Sequence, residues 1–360
     1  MSWKRAGIGA SVALAAIAIG GWFALRSAPV EDWLFHRYAE HMIGRPPGPV
    51  AEKNELSVLL CGTASPIQPM DRAGPCTMIN AGGHLYIVDV GLASVRNLNV
   101  WRVPLEKVDG VLITHFHSDH IAELGELRLE TWVAGRKTPL KVYGPPGIEQ
   151  VVAGFNQAYA LDAQYRTEHH GAKFLPIDAA PLVPVVVTMN AGGTAPVFDE
   201  NGLKVTAIKV HHDPVKPAYG YRFDFGGRSV VVSGDTAFYP PLAAASKGAD
   251  VLVHEAQNND MVAAMATILK ARGRPRLAKI LGDIPSYHAT PVQAAKIANM
   301  AGAKLLVLTH LTPPPNNGMA ERVFLQGVAA VRPEGVMLGH DGLLVRLPVN
   351  SKEIDTQTID

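Results

Sequence analysis

Val111-Leu112-Ile113-Thr114-His115-Phe116-His117-Ser118-Asp119-His120 is the stretch on which the interpretation of this sequence depends. Its apolar first part is typical of a buried strand. Three histidines and an aspartate follow within six positions, which is too dense for an ordinary solvated loop. Neutral imidazole and carboxylate are suitable ligands for zinc, so the stretch predicts a metal site at the end of a strand.

The composition is that of an ordinary globular protein. The chain has 360 residues, of which 48% are hydrophobic and 18% charged, enough to bury a large core as one large domain or two smaller ones. Its 33 basic and 32 acidic residues give a net charge of +1. No global field therefore favours nucleic acid or an anionic membrane surface, although these counts permit a local basic patch.

The N-terminus predicts an export signal or a membrane anchor. Lys4 and Arg5 precede an uncharged run from Ala6 to Leu25, which at about 1.5 Å rise per residue is enough helix to cross a ~30 Å hydrocarbon core. The basic pair would stay in the cytoplasm and place the rest of the chain in the periplasm. The small-x-small site Ala18-Ile19-Gly20 permits cleavage, but the run continues past it, which favours an uncleaved anchor over a cleaved signal or a buried core helix.

Four segments are expected along the chain. Residues 1–27 are the signal peptide or anchor, 28–54 a linker that contains the spacer Gly44-Arg45-Pro46-Pro47-Gly48-Pro49, 55–350 the folded domain and 351–360 a tail. Strands are predicted at 56–61, 76–79, 85–89, 111–114, 140–143, 183–188, 203–210, 219–225, 230–233, 251–254, 305–309 and 343–347, and helices at 121–134, 147–165, 257–271, 291–302 and 319–331. This mixture indicates a sheet-rich α/β or α+β fold.

Polar residues end several other apolar strands in the same way. They are Asp89, His211, His212, Asp235, His254 and His310. One histidine at a strand end is usually structural, but recurrence at five strands beside the HxHxDH stretch favours convergent metal ligands. Two metal ions about 3.5–4 Å apart can share a bridging carboxylate and a bridging hydroxide.

At these residues the sequence resembles the metallo-β-lactamase-fold hydrolases. The resemblance spans about 56–347 and rests on Asp89, Thr114-His115-x-His117-x-Asp119-His120, Gly234-Asp235-Thr236, His254-Glu255 and Leu308-Thr309-His310. It is similar to the branch of ribonuclease Z, arylsulfatase-type and phosphodiesterase-type enzymes through Gly62-Thr63, Tyr143-Gly144-Pro145-Pro146-Gly147, Ala218-Tyr219-Gly220-Tyr221-Arg222-Phe223 and Tyr287-His288-Ala289-Thr290. The resemblance implies an α+β, four-layer αββα sandwich after the N-terminal hydrophobic helix, with the site at an edge where strand ends meet.

The resemblance also implies a role for each candidate ligand. His115, His117 and His212 would bind one zinc ion, Asp119, His120 and His310 a second, and Asp235 would bridge them. Mn²⁺ or iron could replace zinc in such a site. His212 is preferred to His211 because the family places a histidine before a Val-x-Pro-Ala segment, and His211 would alternate to the opposite face. Asp89 and His254 are expected behind the ligands, where they would orient them.

The expected chemistry is ester hydrolysis by a metal-bridging hydroxide. Asp119 would serve as both ligand and base. Resemblance to ribonuclease Z makes His288, paired through Glu255, the acid for the leaving group. Two alternatives stay open: His288 is a loop histidine without chemistry, or the pair His254-Glu255 only supports the ligands.

The expected substrate is a small anionic or lactone-type ester, namely a phosphodiester, a sulfate ester or a lactone. Ribonuclease Z inserts a flexible arm that grips tRNA between the Gly-Tyr-Arg strand and the Gly-Asp-Thr motif, but here residues 223–233 leave no room for it. With a near-neutral charge and predicted export, nucleic acid is not expected as a partner. A ribonuclease Z-like endoribonuclease that processes tRNA 3′ ends and a non-catalytic zinc-binding scaffold are the alternatives.

Several features stay open at the level of sequence. Cys61 and Cys76 are the only cysteines and permit one disulfide or two buried thiols. His169-His170 is predicted to be a solvated turn. The basic run Lys270–Lys279 is either a solvated loop or a lip over the metal site that attracts an anionic substrate. The membrane is a partner only if the N-terminal helix is uncleaved, and a homodimer is a further option.

Overall fold

A computed structural model describes residues 21–22, 25–48, 50–67, 69 and 71–359. Most of the hydrophobic run Ala6 to Leu25 lies outside these residues, so the signal or anchor stays a prediction. Within the described residues, none of the helices combines the length and the apolar character that a bilayer crossing requires. The chain divides into two compact units, Met1–Pro47 and Gly48–Asp360. In the first, helix α1 (Ala28–Ile43) occupies the predicted linker and has no buried residue.

The second unit contains the strands and the remaining helices. The strands are β1 (Glu55–Gly62), β2 (Cys76–Ala81), β3 (His84–Val88), β4 (Val108–Leu112), β5 (Leu140–Gly144), β6 (Leu182–Val186), β7 (Thr194–Glu200), β8 (Leu203–Lys209), β9 (Tyr219–Phe225), β10 (Arg228–Val232), β11 (Val251–Gln257), β12 (Leu305–Thr312), β13 (Val336–Leu338), β14 (Leu343–Pro348) and β15 (Asp355–Thr358). The helices are α2 (Ser94–Val100), α3 (Ser118–Ile121), α4 (Leu124–Val133), α5 (Ile148–Ala158), α6 (Ala160–His170), α7 (Pro240–Ala245), α8 (Asn259–Ala271), α9 (Pro275–Asp283), α10 (Pro291–Ala301), α11 (Gly318–Phe324) and α12 (Val328–Val331), with 3-10 turns at Leu105–Lys107, Ile177–Ala179 and Ile284–Ser286.

The strands form two mixed sheets. The first has the order β15-β14-β1-β2-β3-β4-β5-β6 and the second the order β13-β12-β11-β10-β9-β8-β7. Strands β3 to β6 are mutually parallel, and so are β10 to β13. Because β8 and β10 are both antiparallel to β9, they run in the same direction. The carboxyl ends of β8, β10, β11 and β12 therefore lie at one edge of the second sheet.

Alternating side chains along the strands build the layers. Val58 of β1 and Val253 of β11 belong to the apolar core between the two sheets. Leu59 of β1 instead packs in a cluster with residues of α2, α4 and α5. Leu252 of β11 packs in a third cluster with residues of α7, α10, α11 and α12. Two packed sheets between two helical layers confirm the predicted αββα sandwich.

The element boundaries depart from the sequence predictions in places. The predicted helix over 147–165 is two helices, α5 and α6, and His169-His170 ends α6 as an exposed last turn rather than a loop turn. Strands β7 and β15 were not predicted because they lack an apolar run, and β13 was not predicted because its apolar run has only three residues. β15 pairs with β14, so the sheet extends past residue 350 into the predicted tail. Helix α9 occupies part of the basic run for which a loop was one of the two predictions.

Candidate metal centre

Side chains from the edges of both sheets meet in two groups of potential ligands. The ligand atoms within each group lie within 4.8 Å of one another, and the groups are His115, His117, His212 and Asp235, and Asp119, His120 and His310. These are the seven residues predicted as metal ligands. The first sheet contributes the residues after β4, and the second contributes those after β8 and β10 and within β12.

Asp235 lies between the two groups. Its Oδ2 is 3.3 Å from Nε2 of His120 and 3.3 Å from Nε2 of His310. The same oxygen is 3.8 Å from Nε2 of His212 and 3.9 Å from Nε2 of His115. One carboxylate oxygen that faces four imidazoles from two groups has the position that a bridging ligand needs.

The first group shows why His212 rather than His211 enters the site. His212 is buried, and its Nε2 lies 3.3 Å from Nδ1 of His117. His211 points the other way, and its side chain is 49% exposed. The choice made from the alternation of side chains therefore agrees with the geometry.

Hydrogen bonds orient three of the imidazoles. Nδ1 of His120 lies 2.7 Å from Oδ2 of Asp89. That carboxylate also accepts a hydrogen bond from the Thr114 backbone at Oδ1 and one from the Thr114 hydroxyl at Oδ2. Nδ1 of His115 lies 3.0 Å from the Thr114 hydroxyl, and Nδ1 of His212 lies 3.0 Å from the carbonyl of Tyr287. Holding Nδ1 in this way directs Nε2 towards a metal. Asp89 was predicted for this role, whereas Thr114 and the Tyr287 carbonyl were missed because nothing local in the sequence indicates them.

The electrostatics of the site match a donor set for cations. Burial lowers the pKa of His115 well below its usual value and also lowers the pKa of His117 and His212. Burial opposes ionisation of Asp235, but the neighbouring His310 and His120 outweigh it and hold its pKa well below the usual range. Burial opposes a charge on His120, but the carboxylates of Asp235 and Asp89 outweigh it and raise the pKa of His120 well above its usual value, so a metal would have to displace the proton of this imidazole. Neutral His115, His117 and His212 beside the ionised Asp235 have the protonation states that metal binding requires.

The described residues fit a dinuclear metal site. Nε2 of His120 is buried without a hydrogen-bond partner among them, although it lies within 3.4 Å of Asp119 Oδ2. Nδ1 of His310 is also buried without a partner in the described part of the chain. A buried unpaired nitrogen is costly unless a ligand satisfies it. Five imidazoles and two carboxylates are a set that suits zinc and also accommodates manganese or iron.

A histidine-glutamate pair borders the second group. Nδ1 of His288 lies 2.9 Å from Oε1 of Glu255, which also accepts a hydrogen bond from the backbone of Thr236. Burial opposes the charge on His288, but Glu255 outweighs it and raises the pKa of His288 to about 9. His288 also groups with Asp235 and His310.

His254 does not join these groups. It alternates with Glu255 along β11, between Leu252 and Ala256, whose side chains pack in the outer helical cluster. Its Nδ1 lies 2.7 Å from the carbonyl oxygen of Glu255. His254 therefore contacts the backbone that carries Glu255 rather than a predicted ligand.

The ligands open into a cavity of about 290 Å³. One part of its wall consists of Ser65, Pro66 and Ile67, and another part of Ile280, Leu281, Ile284 and Tyr287. Leu277, Ile280, Leu281 and Ile284 are spaced i, i+3, i+4 and i+7, a pattern that predicts an amphipathic helix and could have revealed α9.

The turn between β9 and β10 and the loop between β1 and β2 are both tightly constrained. Phe225 pairs with Arg228 across the two-residue turn Gly226-Gly227, so no arm separates β9 from β10. Both glycines have positive φ, as a tight hairpin turn requires. Cys61 and Cys76 are joined by a disulfide, which closes the loop that carries Ser65, Pro66 and Ile67.

Comparisons with known proteins agree with this site. Residues 86–311 match the beta-lactamase superfamily domain. Ribonuclease Z of Mycobacterium bovis (strain BCG / Pasteur 1173P2) is 36% identical over 270 residues, which cover 74% of this chain and 90% of that protein. Ribonuclease Z of Mycobacterium marinum is 36% identical over 261 residues, which cover 72% of this chain and 87% of that protein.

Solved structures share the fold. The metallo-beta-lactamase fold protein YhfI from Bacillus subtilis superimposes with a TM-score of 0.59 and 22% identity, over 82% of this chain and all of that one. The short form of human tRNase Z superimposes with a TM-score of 0.57 and 19% identity, over 81% of this chain and all of that one. With its matched domain and its grouped histidines and aspartates, the chain belongs to the metallo-β-lactamase superfamily and is a metal-dependent hydrolase homologous to ribonuclease Z.

Proposed function

We propose that this protein is a phosphodiesterase that cleaves RNA, like the ribonuclease Z relatives to which it is 36% identical. The observation that carries the proposal is the position of His288. It lines the same cavity as Asp119, Asp235 and His310, and Glu255 lies behind it. An alkoxide that leaves a phosphodiester needs a proton, and a buried imidazole charged by a carboxylate can deliver one.

Different residues of the site would assist the attack of water on the ester and the departure of the leaving group. Zinc ions held by the seven predicted ligands would supply Lewis acidity and a water of lowered pKa. Asp119, whose Oδ2 lies 3.3 Å from His310 Nε2, would orient the attacking water and accept its proton. His288 would give a proton from Nε2 to the leaving oxygen while Glu255 holds its Nδ1. Ile67 and Ile284 help to exclude bulk water from the cavity between these groups.

A small ester is the second candidate substrate. The two-residue turn between β9 and β10 leaves no arm for tRNA, and a cavity of about 290 Å³ matches a small phosphodiester, sulfate ester or lactone. Location in the periplasm, which the N-terminal run predicts, would favour such a substrate over RNA.

The test compares both substrate classes on one preparation of the zinc-loaded full chain. We expect cleavage of a precursor tRNA with a 3′ trailer and turnover of bis(4-nitrophenyl) phosphate. In Asp119→Ala both rates should fall by about 10²–10⁴-fold because the base is lost. Glu106→Ala removes an exposed carboxylate in the turn before β4, at the opposite end of that strand from the ligands, and serves as the matched control.

Three results would count against the proposal. Intact RNA with turnover of the phosphodiester, 4-nitrophenyl sulfate or a lactone would establish the small-ester alternative. An Asp119→Ala variant as active as wild type would remove the assigned base. A preparation with two zinc ions per chain that cleaves none of these substrates would indicate a zinc-binding scaffold.

A further inference from the structure

Helices α8 and α9 form a hairpin between the strand that carries Glu255 and the loop that carries His288. α8 begins at Asn259, directly after β11, and α9 ends at Asp283, five residues before His288. The α9 side of the hairpin supplies Ile280 and Leu281 to the wall of the catalytic cavity. The hairpin is therefore a continuation of the site and not a remote insertion.

The tip of this hairpin is a dense, unneutralised patch of positive charge. Lys270, Arg272, Arg274 and Arg276 lie within seven residues, and every residue from 270 to 277 is exposed. None of these four side chains makes an ion pair with an acidic group in the described chain, whereas Lys279, one turn further on, pairs with Asp283 at 2.7 Å. Four neighbouring cations repel one another and favour a polyanion as partner.

The tip adjoins the mouth of the cavity. Arg276 precedes Ile280 by four residues of one helix, which at 1.5 Å rise per residue is roughly 6 Å along the axis. A chain of phosphates with its reacting bond among the ligands would reach these cations as it leaves the cavity. The near-neutral net charge of the whole protein is compatible with this local field, because the charge of the tip is balanced by acidic residues elsewhere in the chain.

We propose that the tip of the α8–α9 hairpin, Lys270 to Arg276, binds the phosphate backbone of RNA next to the bond that is cleaved. The inference rests on the proposed function, since it assigns the surface that holds the same substrate. RNA is favoured over an anionic bilayer because the cations lie beside the catalytic cavity, where one polyanion can occupy both.

Equilibrium binding of fluorescently labelled single-stranded RNA tests the proposal without requiring cleavage. The tip variant is K270Q/R272Q/R274Q/R276Q in the zinc-loaded full chain. Its matched control, K107Q/K137Q/K204Q/K352Q, removes the same charge from exposed lysines elsewhere on the described surface, none of which forms an ion pair with an acidic group of the described chain. Thermal unfolding of both variants verifies that they are folded.

The tip variant should bind RNA at least about tenfold more weakly, because up to four phosphate contacts are lost. The slope of log Kd against log salt should decrease by up to about 3, at roughly 0.7 per contact with a single strand. The control variant should retain the wild-type slope.

Two results would overturn the inference. One is that the tip has no effect on RNA binding, either because wild type does not bind RNA or because the tip variant and wild type bind it with the same salt slope. The other is binding of wild type, but not of the tip variant, to vesicles rich in anionic phospholipid while their RNA affinities are equal, which would make the tip a membrane-binding surface. Tip-dependent RNA binding without cleavage would instead contradict the proposed function alone.

Discussion

At the scale of single residues, function depends on which nitrogen of each histidine is left free. Asp89 occupies Nδ1 of His120, and the Tyr287 carbonyl occupies Nδ1 of His212, so Nε2 of each faces Asp235. His288 has the same arrangement, with Glu255 on Nδ1. A histidine side chain is thus predicted to act as a metal ligand or as an acid through Nε2, depending on which group binds its Nδ1.

The role of His288 predicts a dependence on the leaving group. In His288→Gln, kcat for a dinucleotide, whose leaving group is an alkoxide, should fall by about 10²–10⁴-fold because the proton donor is lost. Turnover of bis(4-nitrophenyl) phosphate should fall much less, since nitrophenolate leaves without a proton. The measurement is kcat on both substrates together with metal analysis. His211→Gln, at the exposed neighbouring histidine, is the control. Equal losses on both substrates with a lower metal content would instead make His288 a ligand.

At the scale of elements, the loop between β1 and β2 is fastened at three points. The Cys61–Cys76 disulfide closes its base. Asp341 accepts hydrogen bonds from the Thr63 hydroxyl at 2.7 Å and from the Ala73 backbone at 2.6 Å. Burial raises the pKa of Asp341, and these donors act against that rise. A loop held at both ends can present Ile67 to the cavity in one position.

Reduction of the disulfide should lower the free energy of unfolding. The two cysteines are 15 residues apart, and closing a loop of that length stabilises a protein by about 3 kcal/mol through the entropy of the unfolded chain. Urea unfolding with and without a reductant measures the difference. The double variant C61A/C76A should show no response to the reductant. Wild-type protein with free thiols by titration but unchanged stability would contradict the prediction.

At the scale of the whole molecule, the metal centre lies between the two sheets. His115 and His120 follow strands of the first sheet, whereas Asp235 and His310 belong to the second. Ions bound between them would connect the two halves of the sandwich and compensate the buried carboxylate of Asp235. Binding to the native state alone adds RT ln(1 + [L]/Kd) to stability.

Removal of the metal should therefore lower the thermal midpoint of the folded domain. At a free zinc concentration 100-fold above Kd, each site would contribute about 2.7 kcal/mol that a chelator abolishes. Two equivalents of zinc should restore the midpoint, measured by calorimetry with metal analysis. Calcium, which prefers oxygen ligands, should not restore it. An unchanged midpoint after verified removal of the metal would refute the coupling.

The sequence by itself determined the features that depend on short-range residue patterns, namely the predicted ligands and the apolar strands before them. Apolar strands that end in His or Asp, together with the HxHxDH stretch, identified the seven residues of the two predicted ligand groups, because a ligand at a strand end is a local feature. The family pattern before the Val-x-Pro-Ala segment, together with the alternation of side chains after β8, separated His212 from His211. The αββα fold followed from resemblance at these motifs. Polar strands such as β15 were missed because pairing with β14, and not their own composition, stabilises them.

Only the tertiary structure decided which distant residues meet. The Tyr287 carbonyl on His212 and the two parts of the cavity wall join segments far apart in sequence, and no local pattern specifies such contacts. The structure also decided that Cys61 and Cys76 form a disulfide and are not two buried thiols. The basic tip was visible in the sequence, but its position beside the catalytic cavity depends on how α9 packs along that wall. Charge and ligand type are properties of residues, whereas proximity is a property of the packed chain.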